Sequence, residues 1–111
     1  MRQEIRLLAG RRTALEGVAM GFVPMIQASL LERRFRKGWA PAYYLSVPHK
    51  GGSRHKYVRK AEVEVVSRRT AAWREFSAAL AEWVRISRKI ESLMRRIGAG
   101  RCVRVSTGGS R

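Results

Sequence analysis

Residues 73–97 read WREFSAALAEWVRISRKIESLMRRI, the strongest structural signal in the chain. Their large apolar side chains recur at alternating steps of three and four residues, with Ser87 filling one gap. That spacing is typical of a helix face that packs against another helix. Most of the charged side chains fall on the other side of such a helix. We therefore predict one long amphipathic helix over residues 60–97.

A second, shorter helix is predicted at residues 3–22. Its apolar residues follow heptad spacing and are Ile5, Leu8, Leu15, Ala19 and Phe22. Gly10, Gly17 and Gly21 weaken this helix by about 0.5–1 kcal/mol each relative to Ala, so it needs a partner surface. Antiparallel pairing with the long helix provides one. Because the long helix leaves apolar surface uncovered, we expect a homodimer or a partner helix.

Between the two helices, residues 28–58 alternate strand and turn signals. The clearest strand is residues 43–47, which places Tyr43, Leu45 and Val47 on one face. The predicted fold class is α+β, with two antiparallel helices, the second long and coiled-coil-like, flanking a small three-stranded antiparallel β-meander. We expect a single domain over residues 1–97, followed by a disordered basic tail at residues 98–111.

The positive charge is unevenly distributed. The chain has 24 Lys and Arg residues against eight Glu, a net charge of +16, and nine of the basic residues lie in the carboxylate-free stretch 33–60. Such a concentration marks a surface that meets an anionic partner, most often nucleic acid. We predict a nucleic-acid-binding surface made of these nine residues and one tyrosine. Its members are Arg33, Arg34, Arg36, Lys37, Tyr44, Lys50, Arg54, Lys56, Arg59 and Lys60.

The neighbours of Tyr44 on its face of the sheet depend on the strand register. Either Arg54 and Lys56 or His55 and Tyr57 can lie beside it. We expect Arg54 and Lys56 there, because turning those charges toward a core would be costly. A solvated edge strand that resists aggregation is the alternative explanation for the charge. The pattern does not distinguish DNA from RNA.

No catalytic arrangement is recognisable. His49, His55 and Cys102 match the spacing of no zinc site and lack a fourth ligand. Glu62 and Glu64 are two residues apart, so on a helix their carboxylates point to different sides. We predict a protein that is not an enzyme, with no metal, no cofactor and no small-molecule substrate.

Cysteine content and hydropathy bear on the compartment. Cys102 is the sole cysteine, so no intrachain disulfide can form, which fits a reducing compartment. The longest uncharged run, residues 17–31, is shorter than the roughly 20 apolar residues of a spanning helix. We expect a cytoplasmic protein without a secretion signal or membrane insertion. Attachment of the basic helix face to anionic lipid is a further alternative.

Four short stretches resemble a family of short bacterial and archaeal proteins. They are SLLER (29–33), APAYYL (40–45), GGSRHKYV (51–58) and RKAEV (59–63). The family is a domain of unknown function often encoded near mobile elements. The resemblance implies the order helix, basic hairpin, long helix, but no function, since the family has no established activity. A role as an accessory factor of a mobile element or phage belongs to our hypothesis of nucleic-acid binding. Members of the family have a cysteine knuckle at the position that residues 36–39 occupy in this chain, and this chain lacks it. Any metal site of the family therefore does not carry over.

Two functions remain open from the sequence. The first is a non-enzymatic protein that binds nucleic acid through a basic β-hairpin face. The alternative is a coiled-coil protein-interaction subunit whose basic face docks an acidic partner. An apolar helix seam with no leftover surface favours the first, whereas an exposed apolar patch favours the second.

Overall fold

The structure is a computed structural model that describes residues 1–105. Its elements, in chain order, are α1 (Arg2–Ala19), β1 (Ser29–Arg33), β2 (Ala42–His49), β3 (Gly52–Val58), a 3₁₀ turn (Lys60–Glu62) and α2 (Val63–Arg101). The predicted α+β class is confirmed, with a three-stranded antiparallel sheet between a short and a long helix. No helix within residues 1–105 is both long enough and apolar enough to cross a bilayer.

The two helices pack antiparallel to each other and enclose a narrow core. Leu15 of α1 packs in one cluster with Ala79, Ile86 and Ile90 of α2. The small side chain at Ala79 allows close approach of the helices at this level. The molecule is elongated, measuring 86 × 30 × 26 Å, and its longest element is α2, with 39 residues.

The helix boundaries differ from the predicted ones. α1 ends at Ala19, three residues before the predicted end at residue 22. The segment that follows runs along α2 toward the first turns of that helix. There the Ile26 N–H donates a hydrogen bond to the Arg69 carbonyl at 3.0 Å. α2 continues to Arg101, so residues 98–101 of the predicted tail are helical. The exposed glycines there weaken the helix without interrupting its backbone hydrogen bonding. Residues 106–111 of that predicted tail lie outside the described residues.

The β2–β3 hairpin is closed by a two-residue turn. His49 pairs with Gly52, and the residues between them, Lys50 and Gly51, have φ angles of 36° and 79°. Positive φ at both central residues is characteristic of a type I′ turn, whose twist matches that of the strands it joins. This turn fixes which residues of β2 and β3 face each other.

Only part of the sheet is covered by α2. The residues buried outside the helix–helix core are Ala28 and Val58, at the start and end of the meander, and Val66 and Thr70 in the first turns of α2. The remaining residues of β3 are exposed throughout. The sheet is therefore anchored where the chain enters and leaves it, and much of its surface is accessible to a partner.

Candidate nucleic-acid interface

The register divides the meander into two faces. Tyr44 pairs with Tyr57 and Ser46 pairs with His55, so these residues share a face. Arg33 pairs with Ala42, two residues before Tyr44, and lies on the same side. We call the surface made by Arg33, Tyr44, His55 and Tyr57 the tyrosine face.

Leu45, Val47, Arg54 and Lys56 lie on the opposite face, where Leu45 pairs with Lys56 and Val47 with Arg54. The expectation that Arg54 and Lys56 would neighbour Tyr44 is therefore wrong. That expectation assumed that the face of the sheet opposite Tyr44 would be shielded from water. Because α2 covers only one part of the sheet, both charged side chains stay exposed, and the assumed desolvation cost does not arise.

On the tyrosine face, one arginine is held by two neighbours. The Arg33 Cζ lies 5.3 Å from the centroid of the Tyr44 ring, a cation–π distance. Its Nη2 lies 3.0 Å from His55 Nδ1. Since a guanidinium only donates hydrogen bonds, Nδ1 accepts and the ring proton resides on Nε2. The guanidinium is thus positioned by residues from β2 and β3.

The two tyrosines differ in their accessibility. Their ring centroids are 5.7 Å apart with an interplanar angle of 71°, an edge-to-face contact. Tyr44, on the central strand, is half-buried, whereas Tyr57, on an edge strand, is 59% exposed. The Tyr57 ring is therefore supported at one side and available to a ligand.

No carboxylate lies on the strand positions of the tyrosine face within the described chain. The nearest acid in sequence, Glu32, pairs with Tyr43 on the opposite face and forms an ion pair with Arg34 at 3.4 Å. The positive charge of Arg33 is consequently not offset by a neighbour on its own face.

The β1–β2 connection adds a second arginine–aromatic pair. The Arg36 Cζ lies 4.8 Å from the Trp39 ring centroid, and the Arg34 Nη1 donates to the Trp39 carbonyl at 3.5 Å. Trp39 and Phe35 are both exposed. This connection leaves and re-enters the sheet at the end where Arg33 pairs with Ala42.

A groove lies at that same end of the sheet. It has a volume of about 350 Å³ and is lined in part by Pro41, Tyr57 and Lys60. Val58 pairs with Tyr43 here, so the chain passes from β3 into the 3₁₀ turn beside the β1–β2 connection. An aromatic ring and a lysine thus line one concave surface.

The structure does not gather all ten predicted residues into one patch. The largest group sits at the end of the sheet next to α2 and consists of Arg33, Arg34, Arg36, Lys37, Arg59 and Lys60. Lys50 is on the turn at the other end, and Arg54 and Lys56 are on the face opposite Tyr44. All nine basic residues are exposed. The candidate surface therefore centres on one end of the sheet and the tyrosine face.

Three residues of this surface were not in the predicted set: Trp39, His55 and Tyr57. His55 and Tyr57 could have been predicted from the length of the β2–β3 turn. A two-residue turn at Lys50 and Gly51 specifies a register that puts both beside the outward residues of β2. Trp39 lies within a turn-rich stretch and had no comparable signal.

Ion pairing distinguishes the helices from the meander. On the helices, Arg11 pairs with Glu82 through two contacts of 2.9 Å, and further pairs join Arg68 to Glu64 and Arg95 to Glu91. Among the basic residues of the meander, Arg34 alone has a carboxylate partner in the described part of the chain. The positive potential is therefore least compensated on the meander.

Comparison with known proteins finds no family model that matches the chain, and no curated protein or solved structure that is similar to it. Within residues 1–105 there is also no group of three or more His, Cys, Asp or Glu side chains arranged to hold a metal ion. The chemistry of the surface rests on its arginines, lysines and aromatic rings.

Proposed function

We propose that this protein is a non-enzymatic nucleic-acid-binding protein and that it binds through its meander. The observation that carries the proposal is the tyrosine face, where Arg33 is positioned by Tyr44 and His55 and has no carboxylate beside it. Arginine and lysine side chains neutralise phosphates, and an exposed aromatic ring can stack on a base. The proposal leaves DNA and RNA equally open.

The distribution of charge supports the meander as the binding region. The chain carries a net charge of +16, and the helices offset part of their arginine charge through ion pairs with Glu. The meander offsets little of its own. Such a focused positive surface attracts a polyanion and accelerates its association.

The biological setting is part of the same proposal. The stretches that resemble a family often encoded near mobile elements suggest an accessory factor of a mobile element or phage acting in the cytoplasm. The single cysteine fits a reducing compartment. A protein that coats or positions nucleic acid without cutting it would suit such a role.

The test compares two triple variants by the salt dependence of binding. The meander triple variant replaces Arg33, Arg36 and Lys60, three exposed residues of the candidate surface, with Ala. The helix triple variant replaces Arg85, Arg88 and Lys89 with Ala. Log affinity should fall linearly with log salt, by about 0.9 per phosphate contacted on duplex DNA and about 0.7 on single strands. We expect the meander triple variant to have the shallower slope, since both variants lose three charges but one loses them at the binding surface.

Two results would count against this proposal. A larger loss of affinity in the helix triple variant would place the binding surface on α2. Absence of binding to any single-stranded or duplex nucleic acid at low salt would exclude nucleic acid as the partner. Circular dichroism of both variants checks that each is still folded.

A second candidate function is the protein-interaction subunit, which one specific observation favours. The segment after α1 exposes Met20, Phe22, Val23 and Met25, and the side chain of Phe22 is fully exposed. An apolar cluster of this kind on a surface marks a contact site for another protein. With a net charge of +16, the partner would be acidic, or a second copy whose repulsion is screened.

The two candidates can be separated with a simple probe. Poly-glutamate presents the charge of an acidic partner without phosphates or bases. Binding to poly-glutamate at physiological salt, together with no binding to nucleic acid, would support the interaction subunit. Binding to nucleic acid that poly-glutamate fails to displace would support the first proposal.

A further inference from the structure

We propose that the tyrosine face stacks on unpaired bases, so that the protein prefers single-stranded nucleic acid to duplex. This inference rests on the proposed nucleic-acid-binding function and adds the class of nucleic acid. Three features of the meander lead to it: an open tyrosine ring, a positioned guanidinium, and a groove that joins the ring to a lysine.

The first feature is the Tyr57 ring. It is 59% exposed and lies on an edge strand, and its edge-to-face contact with Tyr44 at 71° can occupy at most one flat side of the ring, so the other is free of that partner. Every base has a π-face, so such a ring can stack on any unpaired base with little sequence preference. In a duplex, the neighbouring base pairs cover these π-faces, and the ring would have nothing to stack on.

The second feature is the Arg33 guanidinium. Its place over Tyr44 and its contact with His55 are set by side chains from two different strands. A planar guanidinium held in this way can stack on a base or bind a phosphate without losing further rotational freedom. Because His55 Nδ1 accepts from Arg33, its Nε2–H remains as an additional donor on the same face.

The third feature is the groove at the end of the sheet. It has a volume of about 350 Å³ and places Lys60 on the same concave surface as Tyr57. A base on Tyr57 would bring its own phosphate toward Lys60. The exposed Trp39, close to Arg36, offers a second ring at the same end of the sheet. Alternating rings and cations along a path are what single-strand-binding surfaces use.

The competing geometry is insertion of the β2–β3 hairpin into the major groove of a duplex. That geometry would use the turn and the opposite face, through Lys50, Arg54 and Lys56. It gives no role to Tyr57 or to the guanidinium of Arg33 on the tyrosine face. The two geometries therefore predict opposite outcomes for substitutions on the two faces.

The experiment measures fluorescence anisotropy of the full chain with four labelled probes at low salt. They are a DNA strand of about 12 nucleotides, within the range of small single-strand sites, its RNA equivalent, the DNA duplex of the same sequence, and an abasic strand with the same number of phosphates. We expect at least one of the single strands with bases to bind about 10-fold more tightly than the duplex and the abasic strand. Preference for the RNA or the DNA strand assigns the sugar.

Substitutions at Tyr57 identify the face. Tyr57→Leu removes the ring but keeps an apolar side chain at an exposed position, and should weaken single-strand binding by about 10-fold while leaving duplex binding unchanged. Tyr57→Phe keeps the ring and should bind like the wild type. The matched control on the opposite face combines Arg54→Gln with Lys56→Gln. It should weaken binding to all four probes to the same extent, without a preference for single strands.

The inference is overturned if the duplex or the abasic strand binds as tightly as both single strands. It is also overturned if Tyr57→Leu, shown by circular dichroism to be folded, retains the wild-type affinity for single strands. In both cases the nucleic-acid-binding function would stand. Failure of all four probes to bind would overturn the function and the inference together.

Discussion

The indole Nε1–H of Trp83 on α2 donates a hydrogen bond to the Glu16 Oε1 on α1, at 3.0 Å. Trp83 also packs against the cluster that holds Leu15 and Ile86. One side chain thus contributes apolar packing and a charge-assisted hydrogen bond across the helix pair. This contact joins the two helices beside their shared apolar cluster.

Replacing Trp83 should lower the free energy of unfolding in two steps. Trp83→Phe keeps a ring but loses the hydrogen bond, and we expect a loss of about 1 kcal/mol. Trp83→Ala also loses the packing and should cost about 3 kcal/mol, near the lower end for aromatic residues because the site is half-buried. Urea unfolding followed by circular dichroism measures both values.

Leu80→Ala is the matched control. Leu80 lies three residues before Trp83 but is 44% exposed, so its truncation should change the free energy of unfolding by less than about 1 kcal/mol. If Leu80→Ala were as costly as Trp83→Ala, the face of α2 that contacts α1 would have to be rotated relative to the structure.

The ion pair between Arg11 and Glu82 should make stability depend on pH. The hydrogen bond from the Arg11 guanidinium lowers the pKa of Glu82 below its ordinary value. Because the pKa is lower in the folded state, the pair stabilises the fold above the unfolded-state pKa, about 4.3. That contribution is lost as the pH falls through the folded-state pKa. Glu82→Gln should therefore be less stable than the wild type at pH 7, and the difference should shrink at acid pH.

Glu75→Gln controls for the loss of one negative charge from a chain of net charge +16. Glu75 is exposed on the same helix, and the described part of the chain offers it no ion-pair partner. Thermal unfolding at several pH values should show a smaller and flatter difference for Glu75→Gln. Equal pH profiles for the two variants would mean that Arg11 contributes nothing specific.

The conformation of the hairpin turn should make Gly51→Ala destabilising, although the same substitution at Gly10 should stabilise the protein. Gly51 has a φ of 79°, and a side chain built there meets nothing within 4 Å, so the cost of Gly51→Ala is conformational alone. We expect a loss of about 1–2 kcal/mol, the penalty for an L-residue in the left-handed region. Chemical denaturation measures the change.

Gly10→Ala is the control with the opposite sign. Gly10 lies inside α1, and a side chain there also meets nothing within 4 Å. Alanine should stabilise this helix by about 0.5–1 kcal/mol. Changes of the same sign at the two positions would contradict the turn conformation at Gly51.

The exposed segment after α1 should affect association and leave stability unchanged. Phe22→Ser should leave the free energy of unfolding within about 0.5 kcal/mol of the wild type, because the ring is fully exposed. We expect the wild type to dimerise more as salt rises, since screening weakens the repulsion between two copies. Phe22→Ser should reduce that dimerisation in sedimentation equilibrium.

Phe35→Ser serves as the comparison for Phe22→Ser. Phe35 is also exposed, but it lies in the β1–β2 connection, away from the segment after α1. The Phe35→Ser variant should dimerise like the wild type. If the two variants behaved alike, or if the wild type stayed monomeric at all salt concentrations, this segment would not be a self-association surface.

Local patterns were sufficient to predict the order and type of the elements. The apolar spacing of residues 73–97 predicted α2, and the turn residues around Gly51 predicted the hairpin. The same spacing could not locate the centre of the contact face. Leu80 and Met94 follow the alternating steps of three and four residues, but they are 44% and 56% exposed, whereas the adjacent Ala79 and Leu93 are buried. Only the packing of α1 selects one side of so broad a stripe.

The candidate site shows the same division. The stretch 33–60 was recognisable from its charge, because nine basic residues without a carboxylate are visible in any conformation. Their arrangement was not recognisable. The register placed Arg54 and Lys56 on one face and Arg33 with Tyr57 on the other, and it brought His55 into the tyrosine face.

The amino-acid sequence by itself determined the charge, the helical and strand periods, and the turn that closes the hairpin, because each depends on residues that are close along the chain. The tertiary structure alone decided which side of α2 is buried, that Trp83 meets Glu16, and that Arg33 lies between Tyr44 and His55. These relationships join residues that are 11 to 75 positions apart. They exist only once helices have docked and strands have paired, and no local pattern encodes the rotation or the contacts that result.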